Sequence, residues 1–124
     1  MFNMKHSFYI ELENRKPIEL TKTKAIRVGR GTATTPNFLA IDDQTVSANH
    51  CMIAVKDSKI PSFWVWDLAS KNKTIVNGIR KLDGSSDVEV DRACQVYHGD
   101  FILIGNCKII FLISRDSSNL NETL

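Results

Sequence analysis

The chain has 124 residues, a mass of 14.0 kDa and a formal net charge of +2, which suits one domain built on one buried core. Hydrophobic residues make up 43% and charged residues 24%: too apolar for a disordered chain, and without the strong basic excess of a duplex nucleic-acid binder. No apolar run approaches membrane-spanning length, and the start, Met1 to Ser7, is too short and polar for a signal peptide, so an intracellular setting is expected.

Taken in chain order, Ser7-Phe8-Tyr9-Ile10-Glu11-Leu12 reads as a strand from its aromatic and β-branched content, and Asn14 to Pro17 as the turn after it. Ala25-Ile26-Arg27-Val28 is a second strand, with Ile26 and Val28 on one face and Arg27 on the other. Gly29-Arg30-Gly31 is expected to break it and to leave Arg30 unobstructed at the strand end. After a loop, Phe38 to Ile41 forms a short apolar strand stopped by Asp42-Asp43. The polar run Thr45-Val46-Ser47-Ala48-Asn49-His50 then leads directly into a buried strand, Cys51 to Val55.

Phe63-Trp64-Val65-Trp66-Asp67 again favours strand, and its tryptophans are expected in the core. A polar connection, Ala69 to Lys73, precedes Thr74-Ile75-Val76, and Asn77-Gly78 is the strongest hairpin signal in the chain, with Ile79 starting the return. Val88 to Val96 carries a weaker pattern, an edge strand or a loop. Phe101 to Ile104 and Lys108 to Ile113 are the last strands, joined by Gly105-Asn106. No window shows a sustained helical period with capping residues, so the fold class is all-β, an antiparallel sandwich. One domain over residues 1–116 and a flexible polar tail over 117–124 are expected.

The three cysteines, Cys51, Cys94 and Cys107, are odd in number and not closely paired, which favours buried thiols in a reducing compartment over bridges or metal ligands. His6, His50 and His98 are scattered, without metal-ligand spacing, and no phosphate-loop or dinucleotide fingerprint follows Gly29-Arg30-Gly31. Ser47 and His50 invite comparison with a nucleophile and its base. No glycine elbow presents the serine, however, and neither Asp67 nor Asp100 has a spacing that recommends it as the orienting acid. The alternative is a binding rim. Arg30, Ser47 and the segment Ser70 to Lys73 all adjoin strand ends, and together they offer a guanidinium, a hydroxyl, an ammonium, an amide and backbone N–H groups. That inventory suits a phosphate monoester.

Gly29-Arg30, Ser47-Ala48-Asn49-His50 and Asn77-Gly78, in that order, resemble the G-R, S-x-x-H and N-G blocks of forkhead-associated (FHA) domains. Ser70-Lys71-Asn72-Lys73-Thr74 is similar to the family's S-x-N-G-T segment, and the resemblance spans roughly Phe8 to Ile113. It implies a β-sandwich of about eleven strands with ligand loops at one end. It also implies a non-catalytic module that binds phosphothreonine-containing proteins or peptides, with a recess that prefers threonine to serine. No cofactor, metal, membrane or direct nucleic-acid contact is implied.

Carried over by position, Arg30, Ser47 and Lys71 contact the phosphate, Ala48 contributes its backbone N–H, and Asn72 grips the peptide backbone. Gly29, His50, Asn77 and Gly78 support the site. Lys73 stands where the family has glycine, so it changes the loop's shape or adds positive charge; Thr45 and Asn106 are the candidates for reading a neighbouring peptide position, without strong acidic preference. Members of the family occur in nuclear signalling proteins, including checkpoint and meiotic kinases, and this chain carries no kinase motif of its own. Phosphate-independent binding or self-association through an apolar sheet face, using Trp64 or Trp66 if exposed, is the alternative function.

Overall fold

Strand β1 (His6–Leu12) alternates buried and half-exposed residues over its length, the period-two pattern of a sheet packed on one face. The chain goes on through β2 (Ile18–Glu19), β3 (Ile26–Arg30), β4 (Phe38–Ile41), β5 (Cys51–Lys56) and β6 (Ser62–Asp67). It continues through β7 (Thr74–Val76), β8 (Arg80–Leu82), β9 (Ala93–Val96), β10 (Phe101–Ile104) and β11 (Cys107–Arg115). This computed structural model describes residues 6–115; the tail expected over 117–124 lies outside the described residues. A six-stranded sheet, ordered β2-β1-β11-β10-β7-β8, packs on a five-stranded one, ordered β4-β3-β5-β6-β9. The fold is an all-β sandwich.

The layers meet through the inward residues of both sheets. Phe8 of β1 stands edge-on to Phe63 of β6 at 5.4 Å between ring centroids, and Phe63 lies 4.8 Å from Phe111 of β11. All three are fully buried, so truncating the central ring of Phe63 to alanine would cost about 3–5 kcal/mol. The first and last described strands are joined by the longest ladder: β1 pairs antiparallel with β11 from His6↔Arg115 to Leu12↔Ile109.

Three sequence expectations are corrected, at Gly29-Arg30, at the tryptophans and at Ile79, and two further features refine the fold. Gly29-Arg30 does not break β3: Gly29 and Arg30 pair with Ala40 and Ile41, and the Arg30 N–H donates to the Ser47 carbonyl at 2.9 Å. The β3–β4 pair is parallel, so the sandwich is not wholly antiparallel. Residues 88–96 hold both a 3-10 turn, Glu89–Asp91, and the edge strand β9. The tryptophans are not core residues. On β6 it is Phe63 and Val65 that point inward, whereas Trp64 and Trp66 stack on each other on the outer face, Trp66 being 36% exposed. At the Asn77-Gly78 turn both residues take positive φ, 54° and 73°, and the Ile79 N–H donates to the Val76 carbonyl at 3.0 Å. That is type I′ geometry, which needs glycine or asparagine at those positions. Pairing resumes at Arg80, with Ile79 left outside the strand and exposed.

Strand registers decide where the polar loops gather. Val28, Cys51 and Asp67 stand abreast in one sheet, and Thr74, Ile104 and Cys107 in the other. The connections that leave from these residues therefore lie at one end of the sandwich.

Candidate functional site

Three connections form the rim: residues 42–50 between β4 and β5, residues 68–73 between β6 and β7, and the Gly105-Asn106 turn between β10 and β11. Polar bonds lock them together. The Lys71 N–H donates to the Ser47 hydroxyl at 2.9 Å, and the Asn72 side-chain amide donates to the Thr45 carbonyl at 2.8 Å. The Asn106 N–H donates to the Thr45 hydroxyl at 2.8 Å, and that hydroxyl donates in turn to Asp43 at 2.5 Å. Two glycines are set by close approach. A Cβ at Gly29 would sit 2.0 Å from the Ala48 carbonyl oxygen, and one at Gly105, whose φ is +60°, would sit 2.3 Å from the Thr45 hydroxyl.

Under the loops lies His50, fully buried. The Ser47 N–H donates to its Nδ1 at 3.0 Å, so that nitrogen carries no proton; Nε2 carries it and donates to the Lys73 carbonyl at 2.8 Å. His50 thus ties the 42–50 loop to the 68–73 loop. The same bonds remove the nucleophile–base reading, because Nδ1 is spent on the backbone of Ser47 while the Ser47 hydroxyl is held by Lys71.

Arg30, Lys71 and Asn72 are exposed, and Ser47 is half-buried. One Arg30 nitrogen donates to the Val46 carbonyl at 3.3 Å, which sets the side chain against the rim while leaving most of the guanidinium fork unspent. Among the described residues, the Lys71 ammonium, the Asn72 amide oxygen and the Ala48 N–H have no protein partner. The end of the sandwich therefore presents two cations, an acceptor and a backbone donor.

Lys73 departs from the expectation of added charge. Its ammonium pairs with Asp83 at 3.2 Å, and its φ of 64° is the left-handed conformation that glycine adopts readily. The loop keeps a glycine-like shape, and the ammonium is taken up by Asp83 instead of standing free. Hydrogen bonds from Ser85, then the bond from Lys73, pull the Asp83 pKa down to about 2. Thr45 is likewise committed inward, and hydrogen bonds from its hydroxyl and backbone lower the Asp43 pKa, so a carboxylate stays beside the rim. Asn77 and Gly78 are not brought to the rim. They lie at the far end of β7, where the Asn77 side chain holds the Phe101 N–H at 3.0 Å and Asp100 at 3.2 Å. Asp43, Gly105 and Asp67 are parts of the site's frame that motif reading missed, since short acidic and glycine steps mark a turn without saying what packs on it.

The sequence profile of the FHA domain matches residues 26–105, from the start of β3 to the turn after β10. The chain belongs to the FHA domain family. Its β1, β2 and β11 lie outside that match yet complete the six-stranded sheet. Solved FHA domains superpose on it. That of the CT664 protein of Chlamydia trachomatis does so with a TM-score of 0.67 at 19% identity, covering 86% of this chain and 96% of the other. The MEK1 FHA domain, solved with a phosphothreonine peptide of HOP1, gives 0.65 at 25% identity over 86% of this chain and 96% of its own. The FhaA FHA domain, solved with the intracellular domain of Rv3910, gives 0.63 at 25% identity over 85% and 99%. No curated protein sequence matches the chain.

Proposed function

We propose that this FHA domain binds phosphothreonine-containing segments of partner proteins and performs no catalysis. The observation that carries the reading is the unspent polar capacity of the rim: Arg30, Lys71 and the Ala48 N–H as donors, Asn72 as an acceptor, around a Ser47 hydroxyl fixed in place. A phosphate ester brings nearly two negative charges and three strong acceptors. Arg30 meets it with a planar fork, Lys71 with a point charge and Ser47 with a hydroxyl. Asn72, anchored through its nitrogen on Thr45, turns its oxygen to a peptide N–H. The MEK1 domain's complex with a phosphothreonine peptide supports the assignment. With Thr45 turned inward and Asp43 held ionised, acidic residues beside the phosphothreonine gain nothing at this rim.

The test is a titration with a degenerate phosphothreonine peptide beside its phosphoserine and unphosphorylated forms. Saturable binding of the phosphothreonine form is expected. Arg30→Ala should weaken it about ten- to a hundredfold, because a charge-assisted hydrogen bond contributes roughly 1.5–3 kcal/mol, and should leave the melting temperature unchanged. Equal binding of the unphosphorylated peptide would overturn the reading.

The outer-face Trp64–Trp66 stack, half-buried at Trp64 and exposed at Trp66, favours a second reading, docking of a partner on the outer face of the five-stranded sheet without phosphate. Partner capture that survives phosphatase treatment and fails in Trp66→Ala would establish it.

A further inference from the structure

Asp67 closes β6 immediately before the loop that carries Lys71 and Asn72. Its carboxylate is 4% exposed, and among the described residues no lysine, arginine or histidine pairs with it. Four donors converge on it instead. One oxygen accepts the Ser70 hydroxyl at 2.5 Å and the Thr74 hydroxyl at 2.8 Å; the other accepts the Ser70 N–H at 3.2 Å and the Gly84 N–H at 2.7 Å. Ser70 and Thr74 flank the loop's exposed residues, so one buried anion grips both ends of it.

The loop between those anchors resists its own shape. Ala69 has φ 57° and Lys73 φ 64°, so non-glycine residues in the left-handed region bracket Ser70, Lys71 and Asn72. Released, both would relax to ordinary backbone angles and carry Lys71 and Asn72 off the rim. Gly84 shows how tightly the neighbouring turn is drawn in, since a Cβ there would lie 2.2 Å from the Asp67 carbonyl oxygen. The carboxylate is therefore placed to hold a strained loop.

We infer that Asp67 is a positioning residue for ligand binding: it acts through Ser70 and Thr74 to set Asn72 on the peptide backbone, and it leaves the Arg30 contact untouched. The inference rests on the phosphopeptide reading for its ligand, and on geometry alone for the loop. Asparagine has the same shape but one acceptor oxygen, so its amide would face two of the four donors.

The experiment is a double-mutant cycle with the degenerate phosphothreonine peptide, using full-length chains whose folding is checked by their amide NMR spectra. Asp67→Asn should weaken binding about tenfold. Adding Asn72→Ala to it should cost little more, because Asn72 is already displaced, whereas adding Arg30→Ala should cost its full factor. Wild-type affinity in a folded Asp67→Asn chain, or full multiplication of the Asp67 and Asn72 effects, would overturn the proposal. If Asp67→Asn does not fold, Ser70→Ala and Thr74→Val each remove one donor and should show the same coupling to Asn72 more weakly. If the wild-type chain binds no phosphothreonine peptide, the functional reading fails separately. The loop claim is then decided by the backbone amide shifts of Ser70 to Lys73 and Gly84, which must move in Ser70→Ala; unmoved signals would sink it.

Discussion

The two ends of the sandwich are made from similar parts and differ in what they leave over. At the far end, the turn at Asn77-Gly78 meets the turn over residues 97–100. There Asn77 spends its amide on Asp100 and its oxygen on the Phe101 N–H, while Asp100 also takes the Tyr97 N–H at 2.8 Å. Nothing ligand-seeking remains among those polar groups. At the rim end, the frame is satisfied beneath the surface by His50, Asp67 and Thr45, and the outer side chains of Arg30, Lys71 and Asn72 keep their capacity. A binding end is one whose support is complete one layer down.

His50→Ala attacks that support and should have the largest effect. It opens a cavity and orphans the Ser47 N–H and the Lys73 carbonyl, at a cost of about 3–5 kcal/mol of unfolding free energy. Urea unfolding would show it, and a His50→Ala domain as stable as wild type would remove the histidine from the frame. At the opposite end, Asn77→Ala should lose about 1–3 kcal/mol, from the bared Phe101 N–H and the lost turn preference, with phosphopeptide affinity unchanged. A matching loss of affinity would mean that the ends are coupled more closely than their separation along β7 suggests.

Lys73→Gly sharpens the contrast within the rim. It relieves about 1 kcal/mol of left-handed strain and gives up a solvent-screened pair with Asp83, so stability should change little and affinity not at all. Weaker phosphopeptide binding in this variant would place the ammonium on the ligand after all. The smallest effect concerns acid. Because the folded-state pKa of Asp83 is drawn down to about 2, its contribution is complete above the unfolded value of about 3.9 and is lost as pH falls from there through about 2. Acid titration of stability in Asp83→Asn should therefore be flatter over that window than in wild type.

Much of this was legible in the chain itself. Alternating apolar residues in Phe8 to Leu12, in Ile26 to Val28 and around Phe63 and Val65 specify strands, because their period of two can bury only one face. Asn77-Gly78 specifies its turn because few residues tolerate positive φ twice in succession. The spaced motifs located Arg30, Ser47, Lys71 and Asn72 by resemblance. Other features depended on contacts distant in sequence. Gly29-Arg30 reads as a break but stays in a strand, because β4 and the Ser47 carbonyl supply partners that no local window contains. Trp64 and Trp66 look like core residues by type, yet register with Val65 turned inward sends both outward. Lys73 looks like spare charge until Asp83, ten positions on, is folded against it. Asp67 looks like a strand end until Ser70, Thr74 and Gly84 converge on its carboxylate. Local composition thus determined the strands, the turns and the chemistry on offer. Only tertiary structure decided which polar groups are consumed by one another and which remain for a ligand, because a hydrogen bond is settled by the partner that packing brings within reach.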